Sequence, residues 1–353
     1  MDSDERVLAD GIPDRSARRT VSMSDVALAA GVSMQTVSRV ANGGDRVAGT
    51  TRDRVLAAMD ELGYRPNTAA RALKSGRFRS IGVLMYTLET LGNIRTLDAI
   101  TAITAQHGYG IDLITVPDPS TGGLGSALSR LGQEAVDGII LVLERHEAVE
   151  RAIRLPSHLP VVIVDSEERP DRASVNADQF QGAELATRHL LDFGHPTVWH
   201  IAGPDSSNSA RLREARWREV LIEAGCRVPE VQRGDWSAAS GYRIGTELMR
   251  RDDVTAVFAA NDQMALGVLR AAHEAGRRIP DDLSVVGFDD SPESADFWPP
   301  LTTVHQDFAQ AGSRAVELLF EAMDGAMLES GVRTIPVSLV TRRSSGPARA
   351  NRP

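Results

Sequence analysis

The strongest constraint on this chain is an alternation of short apolar runs with longer amphipathic segments, which extends from residue 80 to residue 323. The apolar runs have the length of β-strands and fall at residues 81–86, 111–116, 138–143, 161–164, 198–202, 254–259 and 283–288. Helix-length segments lie between or after them, at 97–106, 127–131, 181–191, 211–223, 240–250, 264–274 and 308–323. This order predicts an α/β fold with helices on both faces of parallel sheets. Because the pattern occupies most of a 353-residue chain, two doubly wound lobes are predicted rather than one sheet.

Composition places the chain among ordinary globular proteins. Hydrophobic residues make up 42% and charged residues 25%, so a sizeable core can form. No stretch approaches the roughly 18 consecutive apolar residues of a membrane span, and the first residues contain no apolar run of signal-peptide length. The single cysteine, Cys226, excludes an internal disulfide framework and fits a reducing compartment. We therefore expect a cytoplasmic protein without a membrane partner, and a disordered tail at residues 1–19.

Charge is distributed unevenly along the chain. The net charge is −9, of which residues 1–19 carry −1, with four basic residues against five acidic ones. Residues 20–80 hold nine Arg and Lys against five acidic residues, a net charge of +4, so residues 81–353 carry −12. A small basic region joined to a large acidic one is expected when only one end of a protein meets nucleic-acid phosphate.

Three short helices are predicted within residues 20–65. Ser22 and Asp25 have the spacing of a capping box, the first helix ends at Gly31, and Ser33 caps a second helix. The predicted apolar faces comprise Met23, Val26, Ala27, Ala30, Val32, Val37, Val40, Val55, Leu56, Met59 and Leu62. Two short helices joined by a glycine turn have helix-turn-helix spacing, in which the second helix enters the major groove of DNA.

The second helix carries candidate DNA contacts. Its outward-facing residues near the start are Met34, Gln35 and Arg39. Gln pairs bidentately with adenine and Arg with guanine, while Met offers an apolar contact, for example to a thymine methyl group. The side chains suited to phosphate contacts, which fix register without reading sequence, are those of Ser33, Thr36, Ser38 and Asn42.

Residues 66–78 are predicted to connect this head to the α/β body. The stretch 67–73 is helix-capable but too short to be helical alone in water, where helices below about 12 residues are marginal. Leu73 is unusual on a small, basic segment and suits a wedge between base steps in the minor groove. The connector is therefore expected to become helical only with a partner.

The sequence VSMSDVALAAGVSMQTVSRVAN at 21–42 resembles the head of the LacI/GalR family of bacterial transcription factors. Residues 64–73 resemble the hinge of that family, and the resemblance continues to about residue 343 through SARLR, GDWSAASG, ANDQMALG, VVGFDD and PPLTTVHQDF. It implies a body like that of periplasmic binding proteins and a homodimer on palindromic, double-stranded operator DNA. It also implies base-reading roles for Met34, Gln35 and Arg39, and hinge roles for Asn67, Ala70 and Leu73.

A second candidate site is predicted where the parallel strands of the body end, because ligands bind in the crevice at that edge. Sugars are recognised there by carboxylate, Arg and amide groups together with an apolar surface. The residues placed to do this are Asp165, Asn261, Asp262, Asp289 and Asp290, with Arg213, Trp236 and Gln306 in nearby connections. Asp262 is also interpreted as the N-cap of the following helix, whereas Trp217 is predicted to lie in the core.

The family resemblance narrows this set. It implies effector contacts for Asp165, Arg213, Asn261, Asp289 and Gln306, and aromatic contacts for Trp236 and Phe308. The positions that depart from the family's sugar-binding pattern are Thr90, Gly92, Asn93, Thr96, Val142 and Ala177. Because the hydroxyl-reading set is kept while the facing wall is changed, we expect a galactoside-like sugar with a different or larger substituent.

The expected function is repression of sugar-utilisation genes, relieved when the sugar binds. A secreted sugar-binding transport protein and a corepressor-dependent regulator are the alternatives, and a transport protein has no use for residues 20–76. An enzyme is not expected, because the sequence contains neither GxxxxGK[ST] nor HExxH, and no GxGxxG follows a strand. Arg213 is expected to keep the crevice acids ionised, which suits binding rather than proton donation. No cofactor or metal is expected.

The predicted domains are a helix-turn-helix head at 20–65, a connector at 66–78 and an effector-binding and dimerisation body at 79–343. Within the body, the first lobe is predicted at about 79–177 and 308–335, and the second at about 178–304 and 336–343. Residues 344–353 are predicted to form a disordered tail. They contain no leucine heptads, so we expect a dimer rather than a tetramer.

Overall fold

The computed structural model of the protein describes residues 21–41, 47–65, 76–116, 123–133, 135–143, 159–165 and 172–348. Contacts divide the chain into two units, Met1–Gly76 and Arg77–Pro353. The predicted tail at 1–19 lies outside the described residues, as do the predicted DNA contacts Asn42, Asn67, Ala70 and Leu73. No helix in the described part of the chain is long and apolar enough to cross a membrane.

The described part of the first unit contains three helices, α1 (Met23–Ala30), α2 (Met34–Ala41) and α3 (Gly49–Glu61). The predicted capping box is present, because Ser22 N donates to Asp25 Oδ2 at 2.8 Å and Asp25 N donates to Ser22 Oγ at 3.4 Å. Gly31 ends α1 in the left-handed conformation, which glycine adopts without strain. Ser33 Oγ accepts from Thr36 N at 3.2 Å, so Ser33 caps α2 as predicted.

These helices enclose a small apolar core that consists of Val26, Ala27, Ala30, Val37, Val40, Val55, Ala58 and Met59. The prediction for Leu56 was wrong, because its side chain is 48% exposed. Val55, Ala58 and Met59 have the i, i+3, i+4 spacing of one helix face. Leu56 lies one residue beyond Val55, so α3 turns it toward solvent.

The second unit is built on twelve strands within the described residues. They are β1 (Ser80–Met85), β2 (Gly110–Thr115), β3 (Gly138–Val142), β4 (Val161–Val164), β5 (Ala173–Ala177), β6 (Trp199–Ala202), β7 (Gln232–Arg233), β8 (Ala256–Ala259), β9 (Ser284–Asp289), β10 (Thr302–Gln306), β11 (Gly331–Ile335) and β12 (Val337–Val340). They form two six-stranded sheets, in the orders β11-β5-β4-β3-β1-β2 and β12-β10-β9-β8-β6-β7. Every pairing is parallel except that of β10 with β12. Two α/β lobes are therefore present, as the alternation predicts.

Seven helices connect and cover the strands: α4 (Leu91–Gln106), α5 (Gly123–Gln133), α6 (Gln179–Asp192), α7 (Asn208–Glu223), α8 (Ala238–Leu248), α9 (Asp262–Glu274) and α10 (Phe308–Met323), within the described ranges. A 3₁₀ turn lies at Pro292–Ala295. Each lobe has separate apolar clusters on the two faces of its sheet. The predicted core residue Trp217 is fully buried there, and its indole nitrogen donates to Val198 O at 2.9 Å.

The chain passes between the lobes at three places: from β5 to α6, from β10 to α10, and from β11 to β12. Hydrogen bonds join these crossings to one another. Asp178 N donates to Ile335 O at 2.9 Å, and Gln179 Nε2 donates to Gln306 Oε1 at 2.8 Å. Residues next to the crossings are therefore held close together where the two sheets meet.

The segment after β12 differs from its prediction. The prediction of a disordered tail from residue 344 was wrong for residues 344–348. Residues 349–353 lie outside the described part of the chain. Ser344 Oγ donates to Val285 O at 2.6 Å, Val285 N donates to Ser344 O at 2.7 Å, and Gly346 N donates to Ser284 Oγ at 3.0 Å. The composition of the segment, polar and rich in small residues, suggested disorder. Its backbone groups are nevertheless hydrogen-bonded to β9, so their burial leaves few polar groups without a partner.

Candidate functional site

Helix α2 exposes the residues predicted to read bases. Met34 is 57% exposed, and Gln35 and Arg39 are also exposed. On the opposite face, Val37 and Val40 are buried in the core of the unit. Packing therefore fixes which face of α2 is free, and that face carries a potential adenine reader and a potential guanine reader.

The residues predicted to contact phosphate lie around the start of α2. Ser33 is exposed, and Thr36 and Ser38 are half-buried. The hydroxyls of Ser33 and Thr36 lie 3.0 Å apart and share a hydrogen bond. A ligand contact by either hydroxyl is compatible with this pairing, because a hydroxyl donates one hydrogen bond and accepts two.

A cavity opens between the two lobes of the second unit. All seven residues predicted to contact an effector line it, namely Asp165, Arg213, Trp236, Asn261, Asp289, Gln306 and Phe308. Its empty space is about 750 Å³ when counted out to the open mouth. The structure thus brings together residues from both lobes and from the crossings.

Four side chains in the cavity wall form a ring of polar contacts. Arg213 Nε donates to Gln179 Oε1 at 2.7 Å, and Gln179 Nε2 donates to Gln306 Oε1. Gln306 Nε2 donates to Asp289 Oδ1 at 2.7 Å, and that oxygen lies 3.9 Å from Arg213 Nη2. Arg213 Nη1 also donates to Ala260 O. The ring fixes the direction in which each of these groups presents its donors and acceptors.

Aromatic groups hold the guanidinium of Arg213 from the side. Its central carbon lies 3.7 Å from the centre of the Phe288 ring and 5.7 Å from that of Trp236. Contacts of this kind between a cation and aromatic rings stabilise a guanidinium that is buried away from water. Arg213 is only 4% exposed, so it presents few atoms outside the cavity.

Two of the acids that line the cavity have perturbed pKa values. Burial raises the pKa of Asp289 to about 7, although nearby Arg213 acts in the opposite direction. Burial also raises the pKa of Asp165, against a hydrogen bond from Ser209 Oγ at 3.0 Å and the charge of Arg213. The expectation that Arg213 keeps both acids ionised was therefore wrong for Asp289, because its removal from water outweighs the attraction of Arg213.

Asn261 lines the cavity and also caps α9. Its Oδ1 accepts from Met264 N at 2.9 Å, and its Nδ2 donates to Trp236 O at 3.0 Å and to Gln263 Oε1 at 2.9 Å. The interpretation of Asp262 as this N-cap was wrong by one residue. The cap residue has extended backbone angles, and Asn261 has them while Asp262 is already helical.

Asp262 and Asp290 do not line the cavity, although both follow strands. Asp262 is fully buried and accepts hydrogen bonds from Ser291 N at 2.8 Å, Ser294 Oγ at 2.6 Å and Thr303 Oγ1 at 2.5 Å. Asp290 accepts from Arg342 Nη2 at 2.7 Å. These two acids therefore stabilise the loop after β9 through hydrogen bonds and are not positioned to contact a ligand in the cavity.

Backbone strain marks the same place. Asp165, Trp236 and Asp289 have positive φ angles of 55°, 73° and 112°. Non-glycine residues rarely adopt this conformation, and those that do cluster at binding sites. The ring of Trp236 also lies directly against Gly203, where an added Cβ would come within 2.3 Å of it.

The positions that depart from the family's pattern also line the cavity: Thr90, Gly92, Asn93, Thr96, Val142 and Ala177. Asn93 Nδ2 donates to Thr87 O at 2.8 Å, which fixes this residue at the start of α4. A Cβ on Gly92 would meet the Phe308 ring at 3.3 Å. The wall contributed by the first lobe is therefore small and partly polar.

Two lining residues with polar contacts to the predicted set were missed, Gln179 and Ser209. Gln179 lies two residues beyond β5, the strand from which the first crossing starts. That strand was not predicted, so the residue after it was not recognised as a strand-end group. Ser209 begins the SARLR segment, and only its distance to Asp165 reveals its role.

Comparison with known proteins identifies the family of this chain. Residues 22–67 match the model of bacterial regulatory proteins of the lacI family, and residues 187–345 match a periplasmic binding protein-like domain. The chain is 36% identical to the lactose operon repressor of Escherichia coli K12 over 332 residues, 93% of this chain and 91% of that protein. The chain belongs to the lacI family of bacterial regulatory proteins.

Other relatives agree with this placement. The repressor PurR of Mannheimia succiniciproducens is 35% identical over 91% of this chain and 98% of its own length. A lac repressor dimer bound to operator and the anti-inducer ONPF has a TM-score of 0.82, covering 93% of this chain and 100% of that one. A complex of the transcriptional regulator CelR with cellobiose, 30% identical, has a TM-score of 0.68 and covers 92% of this chain and 100% of that one.

The chain is accordingly a DNA-binding transcriptional repressor of the lacI family and not an enzyme. The family match at 22–67 is not expected of a secreted sugar-binding transport protein, the alternative considered from the sequence.

Proposed function

We propose that this repressor binds a palindromic operator as a homodimer and is released from it by a galactoside-like sugar. The observation that carries the sugar assignment is the convergence of acidic, Arg and Gln side chains and two aromatic rings on one cavity. Acids and amides accept and donate to vicinal hydroxyls, while aromatic rings contact the C–H face of a sugar. The solved complex of the relative CelR with cellobiose supports a sugar as the class of ligand.

Release of the repressor from DNA would follow if the sugar binds one arrangement of the two lobes more tightly than another. Asp165 belongs to the first lobe and Arg213, Trp236 and Asp289 to the second, so a ligand that touches both favours one arrangement. A ligand can shift an equilibrium only by its difference in affinity for the two states. We propose that the favoured state prevents the connector at 66–78 from pairing and becoming helical on DNA. Couplings of about 1–3 kcal/mol change affinity about 5- to 150-fold.

Calorimetric titration of the purified full chain with methyl β-galactoside, methyl α-galactoside and lactose tests the ligand class. Guanine and hypoxanthine form the second arm, because Trp236 and Phe308 could also stack on a planar base. Saturable binding of a galactoside supports the proposal. Binding of a purine base and of no sugar would overturn it and would favour a corepressor-dependent regulator.

The assembly is tested separately by sedimentation velocity with and without a palindromic duplex selected from random DNA. A dimer that binds one duplex is expected. A monomer that binds half-sites independently would contradict the proposed mode of DNA recognition.

A further inference from the structure

The first residues of the second unit are fixed to the first lobe by side chains that do not line the cavity. Asp137 lies directly before β3 and accepts from Phe78 N and Arg79 N at 2.8 Å each. Its own N–H donates to Ser80 O at 2.9 Å. A carboxylate that accepts two successive backbone N–H groups makes charge-assisted hydrogen bonds, which are about twice as strong as neutral ones. Residues 77–80, where the predicted connector passes into β1, are therefore tied to the start of β3.

Arg77 adds a second attachment, to the end of α10 and to Tyr109. Its Nη2 donates to Asp324 Oδ1 at 2.7 Å and to Met323 O at 3.3 Å. Its Nη1 donates to the hydroxyl of Tyr109 at 3.4 Å. The Tyr109 ring packs edge-on against Phe320 of α10, with ring centres 4.9 Å apart. Because both charged groups of the ion pair are exposed, this attachment is the weaker of the two.

Backbone strain marks the same segment. Arg79 has a φ of 58°, a left-handed conformation that non-glycine residues rarely adopt. Its N–H donates to Asp137, and its carbonyl accepts from Gly110 N at 2.9 Å. A strained residue persists only when its surroundings over-determine it, and such residues gather at functional sites. We use the word anchor for Arg77, Phe78 and Arg79 together with Asp137 and Asp324.

The anchor lies at the edge of the sheet opposite to the cavity. Strands β1 and β3 are parallel neighbours, with Ile81 opposite Gly138, and both begin next to the anchor. Val142, at the other end of β3, lines the cavity. Arg77 directly follows Gly76, the last residue of the first unit. The anchor is therefore separate from the effector site and lies where the chain continues toward the head.

We propose that the anchor fixes the point at which the connector joins the body and thereby sets the half-site spacing that the dimer accepts. This inference rests on the proposed binding of a palindromic operator by a homodimer, and it is independent of the effector. In the proposed dimer the two joining points are held at one separation, so the heads reach half-sites at one spacing. Asp137 and Asp324 are positioning residues, because they act through residues 77–80.

The length of the anchored segment gives the size of the effect. Release of residues 77–79 would free three more residues on each side, which span at most about 10 Å when extended. One base pair adds about 3.4 Å to the distance between half-sites. A dimer with released anchors would therefore accept half-sites that lie several base pairs farther apart. The contribution of the anchor to spacing preference is the free energy that its release requires.

Fluorescence anisotropy of the full chain without effector tests the anchor on palindromic duplexes selected from random DNA. The duplexes keep the same half-sites and differ by one, two or three base pairs between them. The wild type should bind the best spacing about 100-fold more tightly than the others, because linked modules gain avidity only when both engage. Asp137→Asn places an NH₂ group against a backbone N–H, so it should reduce this preference about tenfold, the equivalent of one charge-assisted hydrogen bond.

Two further variants separate positioning from folding. Asp324→Asn frees Arg77 without removing its charge, and it should reduce the preference less, by up to about fivefold. Asp252→Asn, a fully exposed change in the second lobe, is the matched control and should leave the preference unchanged. Thermal melting verifies the folding of each variant. If Asp137→Asn does not fold, Asp324→Asn decides the outcome.

A reduced spacing preference in the folded anchor variants, with the control unchanged, supports the inference. A preference that both variants keep in full would overturn it, even if their melting temperatures fall, because the contacts would then only stabilise the first lobe. A wild-type dimer that binds every spacing alike would also overturn it. A monomer in sedimentation velocity would refute both this inference and the proposed mode of DNA binding on which it rests.

Discussion

Arg213 is the residue whose removal should separate ligand binding from DNA binding. Its Nε and Nη1 donate to protein acceptors, Gln179 Oε1 and Ala260 O. Nη2 lies 3.9 Å from Asp289 Oδ1, beyond hydrogen-bond distance, and is the group we expect to bind a ligand hydroxyl. A hydrogen bond from a charged donor contributes about 1.5–3 kcal/mol. Arg213→Ala should therefore weaken effector binding by about 10- to 150-fold.

The fold should tolerate this change. Without Arg213, the pKa of Asp289 rises further and the acid becomes protonated, so no uncompensated charge stays buried. Operator affinity measured without effector should be unchanged, because the predicted DNA contacts lie in the first unit and the proposed coupling acts only when a ligand occupies the cavity. Arg218→Ala is the matched control, since Arg218 lies on the same helix with a half-exposed side chain paired to Glu214 at 3.0 Å.

Calorimetry measures the effector affinity, fluorescence anisotropy measures operator affinity, and thermal melting verifies folding of each variant. Arg213→Lys keeps the charge but loses the planar fork, so its effector affinity should lie between those of Arg213→Ala and the wild type. A folded Arg213→Ala protein with wild-type effector affinity would refute the placement of the ligand in this cavity.

Three further outcomes are expected. The pKa of Asp289 is raised from 3.8 to about 7, so the folded state binds the proton more tightly and this residue's contribution to stability falls as pH rises between those values. Asp289→Asn should melt higher than the wild type at pH 8, and the difference should shrink steadily as the pH falls toward 4; a difference that does not change with pH would contradict the assigned pKa. Gly203→Ala should displace the Trp236 ring and weaken effector binding at least tenfold. Gly125→Ala is the control and should have no such effect, because there is open space around Gly125. Gln35→Ala should cost about 1–3 kcal/mol of operator affinity and relax the preference at one base pair, measured by selection from random duplexes; an unchanged preference would remove Gln35 from the reading set.

Much of the body was predictable because its central strands are apolar and of ordinary length. The runs predicted at 81–86 and 161–164 correspond to β1 and β4 within one residue at each end. The strands that were missed have mixed composition, as in β10, TTVHQ. Thr302 and Thr303 are buried in β10, where Thr302 Oγ1 shares a hydrogen bond with Ser345 and Thr303 Oγ1 donates to Asp262. Tertiary partners make these polar residues suitable for a buried strand, and no local pattern contains that information.

The part of the candidate site that could be predicted consists of residues that directly follow an apolar strand. Asp165 and Asp289 follow apolar strands, and both line the cavity. Asp290 also follows a strand, but its backbone turns it toward Arg342. The order of the sheet and the direction of each side chain decide between such neighbours, and both depend on long-range packing.

The central claim is that a sugar in the cavity controls the affinity for DNA. The most direct measurement is the operator affinity of the full chain, without sugar and at a saturating concentration of the galactoside that binds most tightly. At least a fivefold loss of affinity is expected for the wild type, and Arg213→Ala should need about 10- to 150-fold more sugar to show the same loss. An operator affinity that stays the same while calorimetry shows the cavity saturated would contradict the account.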